Sequence, residues 1–178
     1  KQQTLFVFKH RLFDGQFRDV ESRTCVIAAN GKECLYSIVQ DITERKRAEE
    51  ALSKERRLVQ ALMDNVPDNI YFKDMESRFI LMNKTLAKAF GLSDPEQAIG
   101  KTDFDFFTEE HASQAFEAEK EIMRTGTPLL NVEEKETWPD GTTTWACTTK
   151  MPLRETSGAI VGTFGISHSI TERKRMEQ

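Results

Sequence analysis

Three stretches near the start of the chain, 5–13, 16–28 and 33–40, alternate apolar and polar residues, and they are parted by Asp14-Gly15 and by Ala28-Ala29-Asn30-Gly31. Alternation of period two predicts strands, and the glycine-bearing steps predict hairpin turns between them. The period then changes. Over 44–65, Ala48, Leu52, Glu55, Val59 and Leu62 recur at spacings of four and three with charges between, which predicts a helix that Pro67 ends. Short strands at 69–73 and 79–83 flank the turn Asp74-Met75-Glu76-Ser77, and a short helix over 84–90 is closed by Gly91. Single turns follow at 95–98 and 103–107. A longer helix, 109–124, shows a stripe of Ala112, Ala115, Phe116, Glu119, Ile122 and Met123 before Gly126 and Pro128 stop it. Alternation returns in 129–138, 142–152 and 159–168, with Asp140-Gly141 as the first turn.

The last three strands repeat the first three. Both sets end in almost the same heptapeptide, DITERKR over 41–47 and SITERKR over 169–175. Asp41-x-x-Glu44 and Ser169-x-x-Glu172 have the spacing of a capping box, so the recurring letters predict a helix start after the third strand. Thr43 and Thr171 sit inside these junctions. The first copy ends there, whereas the second is preceded by the strands and helices of 66–128. The predicted fold is α+β: a five-stranded antiparallel sheet over about 66–170 with helices on one face, preceded by a linker helix over 43–65 and a three-stranded fragment over 1–42. Residues 171–178 then begin an output helix.

Composition narrows the function. The 178 residues carry a net charge of −4 with acids interleaved among the bases, which argues against electrostatic capture of nucleic acid. The longest apolar run, Phe79-Ile80-Leu81-Met82, is far short of the ~20 residues that cross a bilayer, so no membrane contact is expected within the segment. Cys25, Cys34 and Cys147 form no Cys-x-x-Cys pair, which points away from a disulfide framework or zinc site and towards a reducing cytoplasm. Lys1 is not a start methionine, so the chain reads as a piece of a longer protein.

Asn65-Val66-Pro67-Asp68-Asn69-Ile70-Tyr71-Phe72-Lys73-Asp74, Ile99-Gly100-Lys101-Thr102-Asp103, Trp138-Pro139-Asp140-Gly141 with Trp145, and Gly165-Ile166-Ser167 running into Ile170-Thr171-Glu172-Arg173-Lys174 together resemble a PAS domain with its C-terminal PAC segment. The likeness covers about 57–175 as one domain, and 5–47 resembles only the last three strands of a preceding one. It is to the tandem PAS regions of bacterial sensor histidine kinases and diguanylate cyclases. It implies sensory input, relay through the helix after the last strand, and a covalently linked kinase or cyclase downstream. Ser169 stands where the family's junction motif has Asp, which implies weaker coupling there.

The resemblance also bears on cofactors. Flavin photoreceptors of the family carry an Asn-Cys-Arg-Phe stretch that is absent here, so a photoactive flavin is not expected. His111 lies in the first turn of the long helix, away from the family's haem-ligand position near Ala115, and reads as a surface residue rather than a haem ligand. The family's pocket lies between sheet and long helix. Alternation groups Thr143, Trp145, Cys147, Thr149 and Met151 on one strand face and Ile160, Gly162, Phe164 and Ile166 on one face of the next, without fixing which face is buried. With Phe90, Phe107, Phe116 and Met123 these either line a small-molecule cavity or fill a solid core, and Asn83, Glu134 and Thr149 are the polar members able to orient a ligand.

Catalytic patterns are missing: there is no nucleophile elbow, no phosphate loop and no His-x-x-x-His, and Glu134 and Glu136, which share a strand face, read as surface solubility. Two functions remain, a ligand-responsive input module and a purely architectural dimerisation module with a filled core. Phe6, Phe8 and Leu12 on the first strand and Phe17, Cys25 and Ile27 on the second would leave a wet apolar patch, so a homodimer through these strands and the linker helix is expected.

Overall fold

The computed structural model describes residues 4–29 and 31–177 and divides into two units, 1–59 and 60–178. The first holds the antiparallel sheet β1-β2-β3, formed by β1 (Thr4–Arg11), β2 (Phe17–Ala29) and β3 (Lys32–Asp41). Asn30, part of the expected turn, lies outside the described residues, as do residues 1–3 and 178. Helix α1 (Thr43–Asn65) leaves β3 and extends across the boundary between the units.

The second unit contains β4 (Asn69–Lys73), β5 (Phe79–Met82), α2 (Lys84–Ala89), tight turns at Pro95–Ala98 and Asp103–Asp105, α3 (Glu109–Thr125), β6 (Leu129–Thr137), β7 (Thr143–Arg154), β8 (Ile160–Ser169) and α4 (Thr171–Met176). Its five strands pair antiparallel in the order β5-β4-β8-β7-β6, so β4 sits beside β8 although residues 74–159 separate them. The fold is therefore α+β, with α2 and α3 packed on the inner face of the sheet.

Alternation does the sorting. On β7 the buried residues are Ala146, Thr148 and Lys150, and on β8 they include Thr163, Gly165 and Ser167. Tyr71, Phe79, Met82, Leu86, Ala87 and Ala98 form the apolar core, with Phe90 and Phe106 stacked beside it at 4.2 Å between ring centres. Gly165 is needed for this packing, because a Cβ there would lie 2.3 Å from the Tyr71 ring that crosses it.

The repeat holds down to individual hydrogen bonds. Asp14 accepts from the Gln16 N–H and Asp140 from the Thr142 N–H, both at 2.9 Å, and Gly15 and Gly141 share φ of +84°. These turns are longer than two-residue hairpins, since β1 ends at Arg11 and β2 starts at Phe17. Asp14 and Asp140 each fold back on the chain, and the glycine takes the left-handed position that follows.

Candidate functional site

The inner face of the second sheet surrounds a cavity of about 40 Å³. Tyr71 and Phe79 form one wall, Phe90 and Phe107 another, and Asp103, His111, Glu134, Glu136, Thr148 and Lys150 bring polar atoms to it. Leu86, Phe90, Phe107, Glu136 and Ser167 also line a second cleft of about 200 Å³, whose remaining walls include Pro67, Ala89 and Trp138. The same side chains thus separate an inner chamber from a larger outer one.

Charge in this interior is organised around two lysines. The Lys73 ammonium, 1% exposed, donates to Asp103 at 2.5 Å and to Glu119 at 2.7 Å, and Lys150 pairs with Glu134 at 3.2 Å. Burial works against the charge on Lys73, yet Asp103 and Glu119 outweigh it and raise the pKa above its ordinary value. Burial raises the Glu119 pKa, with Lys73 pulling the other way, and Glu119 Oε2 has no hydrogen-bond partner among the described residues. The Trp138 indole N–H donates to Thr144 Oγ1 at 2.8 Å, and that hydroxyl donates to Glu136 at 2.6 Å. Glu136 has no ion-pair partner among the described residues, and burial, against the lowering effect of Thr144, leaves its pKa raised.

A second feature lies where β8 becomes α4. Ile170 is buried, its N–H donates to the Trp145 carbonyl at 2.8 Å, and Thr171 Oγ1 accepts from the Trp145 N–H at 2.9 Å. The first unit has the same clasp. The Ile42 N–H donates to the Asp19 carbonyl at 2.8 Å, and Thr43 Oγ1 accepts from the Asp19 N–H at 2.9 Å. These clasps correct the expected capping boxes. Ile170 is the N-cap of α4, without a side-chain cap bond, Asp41 accepts from the Thr43 N–H, and Glu44 and Glu172 are exposed. The threonine is spent on the strand next to the one that leads into the helix, so the repeated heptapeptide fastens a helix to a sheet as well as starting it.

Residues 63–175, more than half of the chain, match the family model described as the PAS fold. The chain belongs to the PAS family. It is 29% identical over 124 residues to the methanogenesis regulatory histidine kinase FilI of Methanothrix harundinacea, covering 70% of this chain and 13% of that protein. Among solved structures, VqmA bound to DPO superposes with a TM-score of 0.56 at 28% identity over 61% of this chain and 55% of that one. The PAS domain of BvgS from Bordetella pertussis gives 0.52 at 25% identity over 72% of this chain and 95% of that one. The chain thus spans only a small part of FilI and about half of the VqmA chain. PAS domains are sensory modules, and relatives that are named as a histidine kinase and a sensor protein support the same class for this domain.

The PAS fold places only some of the expected ligand residues at the cavity. Phe90, Phe107 and Glu134 line it. Trp145, Cys147, Thr149 and Phe164 stand on the opposite face of the sheet, because Thr148 and Lys150 take the inward positions and Phe164 stacks on Phe72 at 5.5 Å. Trp145 belongs instead to the junction, with the Lys174 ammonium 5.3 Å from its ring centre. Phe116 packs on Phe104, and Met123 is not part of the wall. Asn83 is a structural cap: its Oδ1 accepts from Ile70 and Leu86 N–H groups and its amide donates to the Asp68 carbonyl. His111, expected at the surface, is buried against the cavity, its Nδ1 3.2 Å from the Lys135 carbonyl. Glu136, read as solubility, lines both chambers. One signal for the missed ion network was present. Glu119 sits in the apolar stripe of α3, and a carboxylate there requires a buried partner.

Proposed function

We propose that the second unit is a sensory input domain that binds a small molecule in its inner cavity and passes the event to α4 through β7. The observation that supports this is the make-up of one strand. Thr148 and Lys150 face the cavity, and three residues before Thr148 the backbone of Trp145 holds Thr171 of the output helix. A ligand that moves Lys150 therefore pulls on the strand that anchors α4, and a helix shift of this kind is a known form of switching. The VqmA structure with bound DPO supports a small ligand in a related domain. An output domain of the histidine kinase or cyclase kind is the expected recipient, as in FilI.

The reading includes a homodimer. Leu5, Phe6 and Phe8 of β1, Leu35 and Ile38 of β3, and Leu52, Leu58, Val59 and Leu62 of α1 are exposed, and an apolar surface of this extent is suited to a second copy. Light scattering that finds a monomer at high micromolar concentration removes this part.

A thermal-shift screen of metabolites, joined to native mass spectrometry of the purified protein, tests the input function. A bound compound that raises the melting temperature and changes amide exchange in Thr171–Met176 is the expected result. A protein that no compound stabilises supports an architectural module instead.

A further inference from the structure

The interior of the second unit carries more carboxylates than lysines: Asp103, Glu119, Lys73 and Lys150 are buried, and Glu134 and Glu136 are half-buried beside them. Asp103, Glu119, Glu134 and Glu136 face Lys73 and Lys150, and the ion pairs use Asp103 and Glu119 on Lys73 and Glu134 on Lys150. One carboxylate, Glu136, is left without an ion pair among the described residues. It is held in place by the Trp138–Thr144 relay at the partition between the 40 Å³ cavity and the 200 Å³ cleft. Glu119, paired with Lys73 through Oε1, is not part of either wall. A half-buried carboxylate without an ion-pair partner is costly, and a group that brings N–H donors and positive charge relieves that cost. An anionic ligand would add to it.

We infer that the site takes a small organic cation, an amine or amidine, whose charged head enters the inner cavity against Glu136 and whose short apolar or aromatic body lies in the cleft beside Pro67, Ala89 and Trp138. The dimensions agree with this division. The inner cavity admits only a few atoms, whereas the cleft is several times larger and carries aromatic walls suited to a flat or cationic group. His111 on the cavity wall has its Nδ1 beside the Lys135 carbonyl, leaving Glu136 as the unpaired charge on the partition. The inference rests on the cavity being the input site and adds the chemical class of its ligand.

Benzylamine, benzyl alcohol and benzoate share a body and differ in the charge of the head, so they are suitable probes. Trp145→Phe leaves Trp138, in the cleft wall, as the remaining tryptophan. Its fluorescence and the melting temperature are followed as each probe is titrated at neutral pH. Benzylamine is expected to bind at least about tenfold more tightly than either isostere, and Glu136→Gln is expected to erase that advantage while leaving benzyl alcohol unchanged. An amine preference that survives Glu136→Gln, or an isostere that binds as well as the amine, overturns the charge class and leaves the cavity as an input site. No response to any of the three overturns the inferred ligand class, and the metabolite screen decides the input reading separately.

Discussion

The two copies of the strand–helix junction share a clasp and differ in what the clasp is attached to. In the first, Thr43 holds the Asp19 backbone, and charge pairs surround it: Lys46 with Asp19 at 2.9 Å and Arg18 with Asp41 at 3.2 Å. In the second, Thr171 holds the Trp145 backbone, and Glu133 of β6 receives both Arg173 and Lys174. Only the second has strands β4 and β5 and helices α2 and α3, and with them a cavity one step along the same strand. A junction is thus encoded by a heptapeptide and one sheet, whereas the cavity requires the other half of the fold.

The largest expected effect sharpens this contrast. Lys73→Met leaves Asp103 and Glu119 buried without their cation and is expected to lower the stability of the second unit by about 3–5 kcal/mol. Both tryptophans lie in that unit, so urea unfolding followed by tryptophan fluorescence reads it directly. A loss below about 1 kcal/mol would show that the network is worth no more than a surface pair. Gly165→Ala, which drives a methyl group into the Tyr71 ring, is expected to cost about 1–3 kcal/mol in the same assay. It has no such consequence if the ring moves aside freely.

Smaller effects test the likeness of the clasps. Thr43→Val and Thr171→Val each remove one hydroxyl bond to a strand N–H, a loss of about 1 kcal/mol that should appear as fraying of α1 or α4 in amide exchange. Fraying in one copy alone breaks the equivalence. Smallest is the difference between Asp41→Ala and Ser169→Ala. Asp41 accepts from the Thr43 N–H and pairs with Arg18, while the Ser169 hydroxyl reaches Thr171 at 3.4 Å. The bonds from Thr43, then Arg18, hold the Asp41 carboxyl below its usual value of 3.8. A depressed acid contributes fully above its unfolded pKa and loses the contribution as pH falls through the folded one. The greater loss of helical circular dichroism in Asp41→Ala should therefore be present at neutral pH and fade below about pH 4. Equal losses at neutral pH remove the distinction between the junctions.

Local signals in the chain were enough for the element order. Strand β4 and the turn at Pro95–Ala98 have the bounds that alternation and the Pro95 start suggest, and α3 begins at Glu109. Gly126, with φ of +70°, ends α3 where glycine and proline mark the stop. The cavity was less legible for a physical reason. Alternation on β7 sets Trp145 and Cys147 against Ala146, Thr148 and Lys150, and hydropathy favours burying the first set. Lys150 is buried because Glu134 on the neighbouring strand neutralises it, and Lys73 because α3 and the Asp103 turn bring carboxylates to it. Such pairings join residues distant in sequence, so no window along the chain contains them.

The central claim is that β7 joins the cavity to the output helix through Thr171. Amide resonances of Thr171–Met176, recorded by NMR in four proteins, test it most directly: the natural sequence, Lys150→Met, Thr171→Val and the double variant. Removing Lys150 disturbs the cavity without touching α4, so the α4 resonances are expected to shift in Lys150→Met and to show no further shift when the same change is made in Thr171→Val. Resonances that ignore Lys150→Met, or that respond to it equally without the Thr171 hydroxyl, would contradict the account.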